Sequence, residues 1–204
     1  MKKYIFYSLI TLLILGCSNT TNSIKVNNKQ NINSAKNIYT LIYKKIYQKD
    51  IDGADDLYIK LKTDFENSDL TKKAAKDLAI IHMQNKEYIL ANFYLQEALS
   101  IDSNDEFTKF LLIKNQFLAA LENQRDVNYM QKALKALELN RNLVYSDDYV
   151  ILANSMLTRV KLDMLYKNIE IGSLYQKLNK TNAAKLYLER AKELGIDSKE
   201  IYKP

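Results

Sequence analysis

The chain is short of residues that interrupt or lock a backbone. Its 204 residues include one proline, Pro204, and four glycines. Both residue types cut helices short, so a chain rich in Leu, Ile, Ala and Lys with so little of either is predicted to be all-α. Cysteine also occurs once, so no intrachain disulfide can form and stability rests on packing alone. A single histidine and a single cysteine do not make up a metal-binding set, and four scattered glycines cannot build a phosphate-cradling loop. Two acidic pairs, Asp55-Asp56 and Asp147-Asp148, are sequence neighbours. On a helix such neighbours point about 100° apart and do not converge as an acid and a base. His82 falls at a helix-packing position and is expected to be a partly buried, satisfied side chain. No enzyme and no cofactor is predicted.

Charge is the next thing in short supply. Thirty Lys and Arg against 24 Asp and Glu leave +6, and the lysines alternate with acids along most of the chain. No basic stripe forms, so a solvated mixed-charge surface is expected, with no nucleic acid as partner.

The lone Cys17 follows Ile14-Leu15-Gly16 at the end of a greasy stretch that opens with Met1-Lys2-Lys3. Tyr4 to Leu15 is apolar except for Ser8 and Thr11. That run is too short for a permanent spanning helix, which needs roughly 20 residues, and has the form of a secretory leader. Ile-Leu-Gly-Cys resembles a bacterial lipobox. The expectation is a leader over residues 1–16 and a processed chain that begins at a lipidated Cys17. An ordinary leader with an incidental cysteine, or a buried free thiol, is the alternative. Taking away Lys2 and Lys3 lowers the charge from +6 to +4. Residues 17–34 are Ser/Thr/Asn/Lys-rich and read as a flexible tether, with the folded domain over residues 35–204.

From Asn37 onward apolar residues recur at helical spacing. Polar breaks fall near residues 48–53, 66–71, 84–87, 102–105, 122–128, 146–148, 179–181 and 195. Ser103 with Glu106 fits a capping box, and Gly195 after Leu194 a left-handed helix stop. The helices show internal similarity. Ile171-Gly172, Tyr175, Ala184, Leu188 and Ala191 have the offsets of a tetratricopeptide repeat, a large-small pair and an aromatic followed by small-large-small. Gly172 and Ala184 would let two helices approach closely while Tyr175 and Leu188 fill the space beside them. Leu78-Ala79, His82, Ala91, Leu95 and Ala98 repeat the offsets, and Leu41-Ile42, Ala54, Tyr58 and Leu61 give an earlier copy. A pair near 107–121 and 129–145 is drawn apart by a longer connection. The predicted fold is a tetratricopeptide-like helical-repeat solenoid of four to five helix pairs.

Lipobox, tether and irregular helical repeats together resemble the BamD family, also called ComL or competence lipoproteins. The residues that carry the resemblance are Ile38-Tyr39 with Ala54, Asp77-Leu78 leading to Ala91, and above all Arg125-Asp126 followed by Ala133, Tyr149, Ala153 and Tyr175. The resemblance implies an outer-membrane lipoprotein scaffold of the β-barrel assembly (BAM) complex, on the periplasmic face. Its implied partners are BamA, other assembly subunits and unfolded outer-membrane proteins. A BamA-contacting arginine of the family aligns to Tyr187, with Arg190 one turn on, so Arg125, Asp126, Tyr187 and Arg190 are the implied BamA-facing residues. A pilotin-like lipoprotein escorting a secretin is the alternative; such a chaperone would show more regular repeats without the Arg125-Asp126 region.

The residues themselves offer one further surface. Tyr39, Tyr43 and Tyr47 recur every fourth residue and form a stripe on one helix. Core positions Ile38, Leu41 and Ile42 are expected to turn away from it. Lys76, Ile80 and Met83 occupy matching positions in the second repeat. Together they are expected to line a groove for a peptide, tyrosine offering contact area and a hydroxyl. An ordinary half-buried N-terminal face is the alternative.

Overall fold

The computed structural model describes the backbone of residues 21–194 and the side chains of residues 34–194. The expected leader, Cys17 and the stop at Gly195 lie outside the described residues. Within them the chain is all-helical, with eight α-helices and no strand, and the helices pack in four consecutive pairs. The chain divides into two compact units, one ending at Glu66 and one beginning at Asn67.

The first unit is the pair α1 (Thr21–Tyr47) and α2 (Ile51–Asp64). Helical backbone begins at Thr21, inside the stretch expected as a coil tether, where no proline or glycine stands to stop it. Ala35, Ile38 and Ile42 of α1 are buried, as are Ala54, Tyr58 and Leu61 of α2. Asp50 caps α2, its Oδ1 accepting from Gly53 N at 3.1 Å, and its other oxygen accepts from the Lys45 ammonium. A Cβ at residue 53 would stand 2.7 Å from that carboxylate, so any larger residue there requires the Asp50 side chain to shift. Lys45 occupies the position where the repeat pattern usually has an aromatic, and its ammonium with the Gly53 amide holds the Asp50 carboxyl below the usual carboxylate range.

The second unit holds α3 (Asp69–Gln84), α4 (Tyr88–Ile101), α5 (Glu106–Glu122), α6 (Val127–Asn140), α7 (Asp147–Lys177) and α8 (Thr181–Glu193). The pairs α3–α4, α5–α6 and α7–α8 pack internally, and α5 bridges them by touching α3, α4, α6 and α7. The small residues predicted at the pair contacts, Ala79, Ala91, Ala98, Ala184 and Ala191, are all buried. A second core forms where α5, α6 and the first half of α7 meet, around Ile113, Ala120, Met130, Leu137, Val160 and Met164.

Three of the four turns inside pairs share one backbone device. Lys49, Lys86 and Asn179 each adopt positive φ, at 61°, 65° and 56°. The next residue donates its N–H five residues back: Asp50 to Lys45 O, Glu87 to His82 O, Lys180 to Tyr175 O, at 2.8 to 3.0 Å. This is the Schellman close, in which glycine usually takes the left-handed position. Here lysine and asparagine do that work.

The capping-box expectation is corrected. α5 starts at Glu106, and its cap is Asp105, which accepts from Thr108 N at 3.1 Å; Ser103 lies in the turn before it. Glu106 instead reaches across to the α6–α7 connection, where its Oε1 accepts from the backbone N–H groups of Tyr145 and Ser146, both at 2.5 Å. That bond and the burial of Val144 end α6 at Asn140, in a 3-10 turn over Arg141–Leu143, earlier than the apolar spacing predicts.

Candidate partner-binding surfaces

The tyrosine stripe is open. Tyr43 is 63% exposed, Tyr47 85%, and Tyr39 is half-buried with interactions of its own. Leu41, expected in the core, is 48% exposed. Among the described residues α1 buries a narrow line of Ala35, Ile38 and Ile42, and at 100° per residue Leu41 and the tyrosines flank that line on opposite sides.

Lys76, Ile80 and Met83 belong to the second unit and differ from the groove expected for them. Met83 is only 7% exposed and packs in the core, Ile80 is half-buried, and Lys76 is engaged. Its ammonium donates to Asp105 Oδ2 at 2.7 Å. One turn earlier Lys72 donates to Asp102 Oδ2 at 3.0 Å. The two lysines of α3 thus tie down both ends of the α4–α5 turn. Burial alone would raise the Asp105 carboxyl. Lys76, with the Thr108 amide, more than offsets that and holds it below its ordinary value. Lys72 holds Asp102 down in the same way.

His82 is buried and partnered, as expected. Its Nδ1 stands 2.6 Å from Glu87 Oε2, and its ring stacks on Tyr94 at 5.3 Å. Among the described residues no group of three or more His, Cys, Asp or Glu side chains is placed to hold a metal ion.

The Arg125-Asp126 region and the Tyr187–Arg190 pair border different faces of α7. Arg125 is exposed on a hollow shared with Asp163, Tyr166, Lys167 and Glu170 of α7. Asp126 is the cap of α6, its Oδ1 accepting from the amides of Asn128 and Tyr129 at 2.9 and 3.1 Å. Its carboxylate therefore has a structural task beside any contact with a partner. Arg190 borders a second hollow with Lys161, Met164 and Asn168. Its guanidinium lies 5.3 Å from the Tyr187 ring centroid, Tyr187 stacks on Tyr175 at 5.7 Å, and Lys180 stands 5.9 Å from the Tyr175 ring. The result is a cation–ring–ring–cation ladder across the α7–α8 pair. Pattern reasoning placed Tyr175 and the Tyr187–Arg190 pair without seeing that they stack. It also passed over Asn115-Gln116, a polar pair in the otherwise greasy run of α5, which the burial pattern brings forward.

No described helix is long and apolar enough to cross a membrane. No family model matches the chain. The chain is 26% identical over 196 residues to the outer membrane protein assembly factor BamD of Helicobacter pylori (strain ATCC 700392 / 26695), covering 94% of this chain and 87% of that protein. That relative is named for assembly and not for an enzymatic reaction, in agreement with the reading of the residues. With an all-helical fold of paired repeats beneath a likeness that runs almost end to end, the chain is similar to a BamD outer-membrane protein assembly factor.

Proposed function

We propose that the chain is a lipid-anchored scaffold of the outer-membrane β-barrel assembly machinery, which helps fold and insert outer-membrane proteins by holding BamA and segments of unfolded substrate. The observation that carries this reading is the likeness to an assembly factor across nearly the whole of both chains. The fold is compatible with it, since paired helices closed by Schellman turns and cross-helix ion pairs make a stiff surface without any chemistry of its own. In this reading Cys17 is the lipidated residue and the periplasmic face of the outer membrane the site of action. Tyr43 and Tyr47 supply exposed aromatic area for an extended or helical segment. Arg125 and the Tyr187–Arg190 ladder are the surfaces offered to BamA, with Asp126 fixing the helix start beside Arg125.

Site-specific photocrosslinking from position 43 in cells tests the substrate side. Adducts with outer-membrane protein precursors or with assembly subunits are expected; a crosslinker that yields neither, while one placed at Arg125 captures BamA, removes the tyrosine stripe from the account.

A further inference from the structure

Arg190 carries a charge that no acid among the described residues answers. It is half-buried on α8, and its guanidinium makes no hydrogen bond and no ion pair among the described residues. A cation drawn partly out of water is normally paired. Its neighbour here is a ring: the guanidinium lies over Tyr187, 5.3 Å from the centroid. Tyr187 is braced in turn by Tyr175 of α7, stacked at 5.7 Å with the ring planes 20° apart, and Lys180 closes the far end at 5.9 Å from the Tyr175 ring. A guanidinium engaged through its face keeps its N–H groups, which lie in its plane, for another partner. A long side chain already held in place also loses less freedom when that partner arrives.

The surroundings narrow the chemistry of that partner. Arg190 borders a hollow of about 180 Å³ between α6, α7 and α8, whose apolar side is formed by Val127, Leu134, Met164 and Leu194. Of the five charged residues at its edge, Lys161 and Glu138 pair with each other at 2.8 Å. Lys135, Arg190 and Glu193 have no ion pair among the described residues, which leaves a net charge of +1 (2 − 1). One net positive charge with a forked donor suits a monoanion, and a carboxylate matches the fork. A phosphate monoester carries nearly two negative charges and would meet Glu193. A lipid surface is read by clusters of about four to eight cations, where this rim offers two. A carboxylate on an aliphatic stem can lay that stem on the apolar side. We propose that Arg190 is a socket for one glutamate or aspartate side chain of a protein partner, and that Tyr187 and Tyr175 are positioning residues which hold its guanidinium ready at the rim of the hollow. That the carboxylate comes from a protein rests on the assembly reading; the socket itself rests on the geometry of the ladder.

The test uses the full chain, labelled with nitrogen-15, and a capped peptide, acetyl-Ala-Glu-Ala-amide, with acetyl-Ala-Gln-Ala-amide as its neutral twin. A saturable shift of the Arg190 Nε–H resonance is expected with the first peptide and not with the second. Tyr187→Leu removes the ring and should weaken the peptide by about two- to five-fold, the equivalent of one cation–π contact. Tyr187→Phe, which keeps the ring, should restore it. Tyr175→Leu should weaken the peptide in the same direction by freeing Tyr187. In the free protein the ring-current displacement of the Arg190 resonance should vanish in Tyr187→Leu and persist in Tyr187→Phe, with the far-ultraviolet circular dichroism unchanged in both. Absence of a saturable shift, an equal response to the glutamine twin, undiminished binding by Tyr187→Leu, or a response to phosphatidylglycerol vesicles in place of the peptide would each overturn the proposal. Capture of BamA from membranes separates it from the assembly reading. BamA held equally by the wild type and Tyr187→Leu removes the socket and leaves the reading, whereas a ring-dependent peptide response with no BamA held removes the reading and leaves the socket.

Discussion

Gly172 on α7 and Leu188 on α8 approach so closely that a Cβ added at residue 172 would stand 2.9 Å from Leu188 Cγ and Cδ2, and 3.4 Å from Ala184 O. The glycine is therefore required by the spacing of two helices and not by backbone conformation. Gly172→Val is expected to cost about 1–3 kcal/mol through overpacking, read as a lowered urea midpoint. Leu188→Ala in the same chain should return part of that loss, because the two changes act on one contact. Simple additivity of the two single variants would show that the contact does not limit the approach.

The left-handed turns predict stabilisation by glycine. A lysine at φ 61° carries a steric cost that glycine does not. Lys49→Gly should stabilise the first helix pair by about 1 kcal/mol, seen as a later unfolding of α1–α2 in hydrogen exchange. Asn179→Gly should gain less, since asparagine tolerates the left-handed region better than lysine. A larger gain at 179 than at 49 would contradict the assignment.

Asp105 serves two partners at once, and two variants separate them. Asp105→Ala removes the α5 cap and the bond to Lys76 and should cost about 1–2 kcal/mol. Asp105→Asn keeps a cap acceptor and should cost less. Equal losses would place the whole effect on the charge.

Acid should loosen the same corner. The Asp105 carboxyl is held below its ordinary value when folded. Its contribution is therefore present above the unfolded carboxylate range and lost as pH falls through the lower, folded value. Thermal melts are expected to hold level near neutrality and to fall below about pH 4, and the Asp105→Asn variant should show a shallower decline.

Membrane attachment is predicted to rest on one residue. Cys17→Ser should leave the helical pairs folded by circular dichroism and move the processed protein out of the membrane fraction. Recovery of the variant in membranes, with unprocessed leader excluded, would refute the anchor.

Most of the helical plan was readable before the structure. The polar breaks fell within a few residues of the observed turns because nothing else interrupts the apolar spacing, and the small residues at 79, 91, 184 and 191 marked the pair contacts through the volume they lack. Three things were hidden for physical reasons. α6 ends at Asn140 because Glu106, far away in sequence, claims the amides of Tyr145 and Ser146. Leu41 is exposed because α1 turns Ile38 and Ile42 toward α2, and Met83 is buried because α3 packs on both α4 and α5. Lys76 looked like a groove residue until its partner Asp105 was placed. The surfaces assigned to partners were legible only as residue types, since exposure says where a partner could sit and not which one does.

Purification from membranes through the native chain, followed by identification of what is held, bears most directly on the central claim. Stoichiometric BamA is predicted, weakened when Arg125 and Arg190 are both changed to alanine while the fold is kept. A preparation that brings down a secretin and no BamA would contradict the assembly role.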